Sequence, residues 1–212
     1  MSPENTHTYP GLNLLVFGAF CGLTALGFLN PALLGPSVLL GLALPVIWAW
    51  RTHDWSPLGL SRDRLGPGLA WGLAGGILAA ITATLVTPQP AIPTDLAGEL
   101  LIGIPLWLLV ASPYQELFFR GWLQPHLERA WGRWPGLLAA TGLFTLWHYV
   151  LPLASGSSYP LATWGGLLGV LAAGLIYAIS YQQARSVIAP WLAHALSGIT
   201  FILLGAAGFL PG

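Results

Sequence analysis

The sequence predicts an all-α fold, a bundle of about seven (six to eight) transmembrane helices. Of its 212 residues, 55% are hydrophobic and only 7% are charged, whereas a soluble domain carries about 25% charged residues. The mean hydropathy is +0.71. A chain of this composition has too few charged residues to cover the surface of a soluble protein. No domain boundary is visible along it. The sequence therefore indicates a polytopic membrane protein with a single domain over residues 1–212.

The predicted spans are apolar segments of about 20 residues, the length that crosses a bilayer. The turn dipeptide Asn30-Pro31 separates the first two. A polar segment at 51–67, a proline-rich segment at 88–96 and a Ser/Gly/Pro segment at 152–162 form the longer loops. The predicted spans are 11–29, 33–50, 68–87, 97–120, 135–151, 163–183 and 187–209.

Pro113 and Pro125 are two positions at which a helix over residues 97–130 could bend. Proline removes a backbone donor and kinks or ends a helix. Residues 97–130 are therefore either one long bent helix or a span followed by an interfacial helix.

The arginines predict the orientation of the bundle. There are seven arginines and no lysine, and all but Arg120 fall in loops on one side. Asp95 and Glu99 fall on the other side. Positively charged loops stay cytoplasmic, so we expect an integral, multi-pass plasma-membrane protein with a cytoplasmic N-terminus. The one-sided arginines are Arg51, Arg62, Arg64, Arg129, Arg133 and Arg185. An aromatic belt on the same side comprises Trp48, Trp50, Trp55, Trp131 and Trp134.

Charge and cysteine content restrict the classes of partner and site. The formal net charge is zero, which argues against nucleic acid, since binding it needs a basic stripe. The predicted partners are membrane lipid and a membrane-associated protein or peptide. Cys21 is the one cysteine, so neither an intrachain disulfide nor a cysteine-based zinc site is expected. No Lys or Arg precedes the first apolar run, which predicts a retained helix rather than a cleaved signal.

Five polar residues lie inside otherwise apolar segments: Gln115, Glu116, Arg120, His148 and His194. Polar groups at membrane depth are costly and usually mark a site or a pathway. Glu116 and Arg120 are four residues apart on a helix and can pair, while Gln115 lies about 100° round the helix from Glu116. A buried ion pair and two packed histidines are the purely structural alternative.

Counting from the nearest arginine at 1.5 Å per residue, His194, Glu116 and His148 lie roughly 13, 19 and 22 Å deep. They share one mid-membrane layer nearer the cytoplasmic half. A carboxylate and two imidazoles at one depth can bind a divalent metal, with zinc the first candidate, or activate a water by general base catalysis. The metal ligands would be Glu116, His148 and His194. The chain has no HExxH motif, so the helix-borne arrangement of soluble zinc proteases is excluded.

Three segments resemble the motifs of the CPBP family of intramembrane proteases (CAAX protease and bacteriocin-processing, also called Abi). That family has EExxxR, FxxxH and HxxxN on separate transmembrane helices. This chain has QELFFR at 115–120, FTLWH at 144–148 and HALSG at 194–198, in the same order and setting. The resemblance covers roughly residues 97–205.

The resemblance implies an intramembrane endopeptidase that hydrolyses a peptide bond in a membrane-associated protein or peptide. Glu116 would be the base, or the partner of a metal-bound water. His148 and His194 would be metal ligands or electrophilic donors, and Arg120 would orient Glu116. Water would reach the site through the cytoplasmic half. Members of the family have been described both as metalloproteases and as glutamate-dependent enzymes, so a metal cofactor and a metal-free reaction are both implied.

Two positions depart from the family pattern. Gln115 replaces the first Glu, usually assigned as the residue that activates water, and an amide cannot act as a base. Gly198 replaces the Asn of the last motif. One alternative is therefore a non-catalytic member, a membrane scaffold or immunity protein, in which restoring Glu at 115 and Asn at 198 would restore turnover. Another is a proton-coupled transporter that relays protons through Glu116 and the histidines, although no interrupted inverted repeat marks one.

Overall fold

The computed structural model describes residues 10–30, 33–87, 90–150 and 164–207, and these form seven helices and no strand. The predicted all-α bundle is confirmed. Each predicted segment corresponds to one helix, although residues 151, 163, 208 and 209 of those segments lie outside the described residues. The helices are α1 (Pro10–Leu29), α2 (Leu34–Thr52), α3 (Arg62–Val86), α4 (Leu96–Trp131), α5 (Arg133–Trp147), α6 (Trp164–Ala184) and α7 (Ile188–Leu203).

Five of the described helices, α1, α2, α3, α4 and α6, are long and apolar enough to cross a membrane. Their outward side chains suit lipid: Leu15, Leu85 and Leu101 are 73%, 80% and 77% exposed. α5 and α7 are shorter, with 15 and 16 residues. Helices of that length reach about 24 Å, less than the hydrocarbon thickness of about 30 Å. α5 is short because its chain turns at His148 and Tyr149.

α4 is one continuous helical run, which decides between the two interpretations of residues 97–130. Two stretches of it are π-helical, Trp107–Ala111 and Leu117–Leu123. Each stretch is followed by an α-helical turn with proline at its start, Pro113 and Pro125. Proline has no backbone N–H to donate, and in an α-helix its ring would clash with the carbonyl four residues earlier. A π turn is wider, so it leaves space for the ring and does not require that hydrogen bond. The helix therefore continues through Pro113 and Pro125.

A stripe of small residues on α3 faces α7. A side-chain carbon added at Gly68 or Gly72 would come within 3.2 and 3.0 Å of α7 side chains, and one at Gly76 would collide with Leu196. Small residues let membrane helices approach closely. α7 is thereby held deep in the bundle, with His194 on a buried part of its surface.

The core beside the polar residues is aromatic. Phe20 of α1 stacks on Phe118 of α4 with ring centroids 4.0 Å apart, and Phe119 meets Phe144 of α5 edge to face at 5.1 Å. All four rings are buried. The polar side chains of α4 are therefore enclosed by packed rings rather than by lipid.

The two ends of the bundle differ in charge. At one end the 53–61 loop meets the turn between α6 and α7, where the Val187 N–H donates to the Leu58 carbonyl at 3.0 Å. At the opposite end the Ala91 N–H donates to the Leu204 carbonyl, also at 3.0 Å. The six one-sided arginines all lie at or beside helix termini of the first end, as the sequence predicted.

Candidate functional site

Glu116 is the centre of the buried polar cluster, with no exposed surface. On one side the Arg120 guanidinium lies 3.2 Å from Glu116 Oε2, as the four-residue spacing predicts. On the other side His194 of α7 donates from Nδ1 to Glu116 Oε1 at 2.7 Å. Arg120 also donates to the Gly174 carbonyl at 2.9 Å. Because the carboxylate has partners on two sides, burying its charge is compensated.

His148 lies at the end of α5, in the turn that follows Trp147. Its Nδ1 is 2.9 Å from the Phe144 carbonyl. A carbonyl only accepts, so Nδ1 carries the proton and Nε2 holds the lone pair in the neutral ring. The Phe144 ring contacts both imidazoles, with centroids 4.4 Å from His148 and 6.0 Å from His194. The guanidinium of Arg120 lies 4.2 Å from the centre of the same ring.

Tyr177 of α6 fixes the plane of the His194 ring. The two rings stack with centroids 4.8 Å apart and an angle of 18° between them. The Tyr177 hydroxyl is hydrogen-bonded to Ser197, whose own hydroxyl donates to the His194 carbonyl at 2.9 Å. The ring of His194 is thus held from its face and from its backbone, which keeps Nδ1 on Glu116.

A cavity of about 160 Å³ contacts both histidines. Its lining includes His148 and His194, together with Val86, Thr87 and Ala206 at the end opposite the arginines. Glu116 is not part of the lining. The space beside the histidines extends between α3, α6 and α7 towards the end opposite the arginines, whereas the sequence predicts entry of water from the arginine-bearing half.

The predicted metal ligands do not fit a three-ligand centre as they are arranged. Nowhere in the described part of the chain do three His, Cys, Asp or Glu side chains come close enough to hold a metal ion. Glu116 and His194 are hydrogen-bonded to each other, while the Nδ1–H group of His148 is hydrogen-bonded to a backbone carbonyl. The structure brings one carboxylate and one imidazole together, and it leaves the second imidazole beside the same cavity.

Gln115 and Gly198 have different surroundings. Gln115 is buried, and its side-chain oxygen has no hydrogen-bond partner within the described residues. At Gly198 an added side-chain carbon would collide with the indole ring of Trp107. Trp107 lies in the first π-helical stretch of α4, and its ring is 5.7 Å from that of His194. Trp107 therefore fills the space into which a side chain at position 198 would project.

Sequence reasoning missed three residues that shape the site: Trp107, Phe144 as a contact of both histidines, and Tyr177. Each is an aromatic residue within an apolar run, where aromatic residues are ordinary. Phe144 was noted only as the first residue of the FxxxH motif, four residues before His148, and not as a neighbour of both histidines. Nothing in the sequence marks Trp107 or Tyr177 as neighbours of His194.

Comparison with known proteins gives one family match. Residues 97–200 match the family described as type II CAAX prenyl endopeptidase Rce1-like. The match covers the helices that carry Glu116, Arg120, His148 and His194. No curated protein and no solved structure matches the chain.

Proposed function

We propose that the chain hydrolyses a peptide bond near the end of a membrane-anchored peptide or protein, because residues 97–200 match the Rce1-like family of type II CAAX prenyl endopeptidases. The family match and the long apolar helices support this substrate class. The hydrogen bond between Glu116 and His194, buried beside a cavity, is the observation that most supports catalysis.

The proposed base is His194, with Glu116 acting through it. Glu116 accepts a hydrogen bond from the Nδ1–H group, so the neutral imidazole presents the lone pair of Nε2 to the cavity. A water O–H bond breaks, its proton moves to Nε2, and its oxygen bonds to the substrate carbonyl carbon. The proton then passes to the leaving nitrogen as the carbon–nitrogen bond breaks, which yields a carboxylic acid and an amine. Glu116 stabilises the imidazolium between these steps, and Arg120 holds Glu116.

His148 supplies the second imidazole beside the cavity. In the neutral ring Nε2 can accept a hydrogen bond from the attacking water and hold that water beside His194. This role needs no bond to Glu116, and it accounts for a histidine whose Nδ1 is committed to its own helix.

A non-catalytic member of the family is the second candidate. The observation that favours it is Trp107, which occupies the space beside Gly198 and narrows the region next to His194. In that case the cluster of Glu116, Arg120 and His194 would hold the helices together, and the protein would act through binding alone.

A cleavage assay separates the two candidates. We expect the purified chain in lipid nanodiscs to cleave a membrane-anchored peptide, offered with and without a prenyl group. His194→Gln and His148→Gln should each reduce kcat by about a hundredfold or more. The matched control is His126→Gln. His126 is also buried in the bundle, with its Nδ1 2.6 Å from the carbonyl four residues earlier, but it does not line the cavity.

The outcomes are distinct. Cleavage by the native chain that is lost in the two site variants and kept in the His126 variant supports the enzyme. A native chain that binds the same peptide but does not cleave it supports the non-catalytic member. Equal losses in all three variants would contradict a specific role for the cavity histidines.

We also propose that the protein lies in the plasma membrane. Its arginine-bearing end, and with it the N-terminus, faces the cytoplasm. The asymmetry of the arginines supports this. In a variant with Cys21 replaced by Ala, a cysteine at Ser157 should react with an impermeant maleimide added outside intact cells, and a cysteine at Ser61 should not. Ser157 lies outside the described residues, so the test rests on its place in the sequence. The opposite labelling pattern would overturn this orientation.

A further inference from the structure

A second concave region lies at the arginine-bearing end, away from the catalytic cluster. It is a cleft of about 920 Å³ between the 53–61 loop, the end of α4, the starts of α3 and α5, and the turn between α6 and α7. Four of the seven arginines line it: Arg64, Arg129, Arg133 and Arg185. We call this region the arginine cleft.

The arginine cleft carries an excess of positive charge. Its acidic lining residues are Asp63 and Glu128, so four guanidinium groups face two carboxylates. Glu128 accepts from the neutral amides of Gln124 and Gln182, each at 2.7 Å. Within the described residues, Arg185 has no ion pair and no side-chain hydrogen bond. The cleft therefore offers guanidinium donors that the protein itself does not use.

The other guanidiniums of the cleft make only weak polar contacts with the rest of the protein. Arg129 lies 3.9 Å from Asp54, and the ion pair of Arg64 with Asp63, at 3.6 Å, is exposed. Arg133 donates to Gln182 through Nε alone, at 3.1 Å. Exposed pairs of this kind contribute about 0–1 kcal/mol. An incoming anion can thus replace them without breaking a strong interaction.

The level of the cleft in the membrane indicates the source of the anion. Exposed tryptophans surround this end of the bundle, and Trp55 is itself part of the lining. Tryptophan side chains collect at the depth of the lipid headgroups. Arginine matches the geometry of phosphate oxygens with paired N–H donors. The exposed tryptophans are Trp50, Trp55, Trp131 and Trp134.

The floor of the cleft is built by internal bonds and does not depend on a ligand. The Tyr181 hydroxyl donates to the Pro57 carbonyl at 2.7 Å, and the Val187 N–H donates to the Leu58 carbonyl. Gly59, with φ +56°, packs so closely on the Arg185 carbonyl that no side chain would fit. A preformed site loses less entropy on binding.

We propose that the arginine cleft binds the phosphate headgroup of an anionic phospholipid. The phosphodiester takes N–H donors from Arg129 and Arg185, and the acyl chains lie along the apolar outer face of the bundle. This inference is independent of the proposed peptidase activity.

The test is a titration of phosphatidylglycerol onto the purified full chain in neutral detergent, read by native mass spectrometry. We expect the lipid to bind with higher affinity than phosphatidylcholine. The double variant Arg129→Gln/Arg185→Gln should weaken phosphatidylglycerol binding by roughly fivefold for each arginine removed. The matched control is Arg51→Gln/Arg62→Gln, which removes the same charge from the same end outside the cleft lining.

Three results would overturn the proposal. An equal loss of binding in the control variant would mean that only the overall charge of this end attracts lipid. Equal affinity for phosphatidylcholine would remove the requirement for an anion. Binding of inorganic phosphate that is sensitive to the cleft variants, without retention of phosphatidylglycerol, would make the cleft a site for free phosphate instead.

Discussion

Replacing Glu116 by Gln is expected to reduce kcat for peptide cleavage by about a thousandfold, with little change in KM. The amide oxygen can still accept a hydrogen bond from the Nδ1–H group of His194 across the 2.7 Å contact, so the ring keeps its orientation. The negative charge that stabilises the His194 imidazolium is lost. A steady-state cleavage assay in nanodiscs measures the effect, and an unchanged kcat would refute the assignment of Glu116.

The same substitution leaves Arg120 buried without its carboxylate, since only 1% of Arg120 is exposed. Breaking a buried pair in this way costs about 3–5 kcal/mol. The control is therefore Glu116→Gln/Arg120→Met, which also removes the orphaned charge. We expect the double variant to regain much of the thermal stability and to remain inactive. Recovery of near-native activity together with stability would mean that Glu116 has only a structural role.

The second large effect is expected at Gly198. A single added carbon there collides with the indole of Trp107, and overpacking of this kind costs about 1–3 kcal/mol. Gly198→Ala should therefore lower the melting temperature, and Gly198→Asn should lower it further. The matched control is Gly142→Ala in α5, where an added carbon meets nothing within 4 Å and the melting temperature should hold or rise.

This result bears on the expectation that Glu at 115 and Asn at 198 would restore turnover. With Trp107 in place, an asparagine at 198 has no room, so we expect the combined variant to be less stable and no more active. Trp107→Ala/Gly198→Asn should be more stable than the sum of the two single effects, because the substitutions share one space. Strict additivity in a double-mutant cycle would contradict the direct collision.

The sequence alone was sufficient to predict the helices and to single out the polar residues that lie within them. Apolar segments of bilayer length give the helices, because a backbone in lipid must satisfy its own hydrogen bonds. Buried charge is costly, so Glu116, Arg120 and His194 stood out in a chain with 7% charged residues. The pairing of Glu116 with Arg120 was also predictable, since both lie on one face of one helix.

Only the tertiary structure decided which of these side chains meet. Counting residues gives depth along a helix, but not the rotation of that helix about its axis, which packing sets. The π-helical stretches of α4 add to this, because each extra residue in a turn rotates the remainder of the helix about its axis. As a result, His194 reaches Glu116, His148 faces the same cavity without joining a metal centre, and Trp107 occupies the space at Gly198. The sequence determined the position of each side chain along its helix, whereas its direction depended on close packing between α3, α4, α6 and α7.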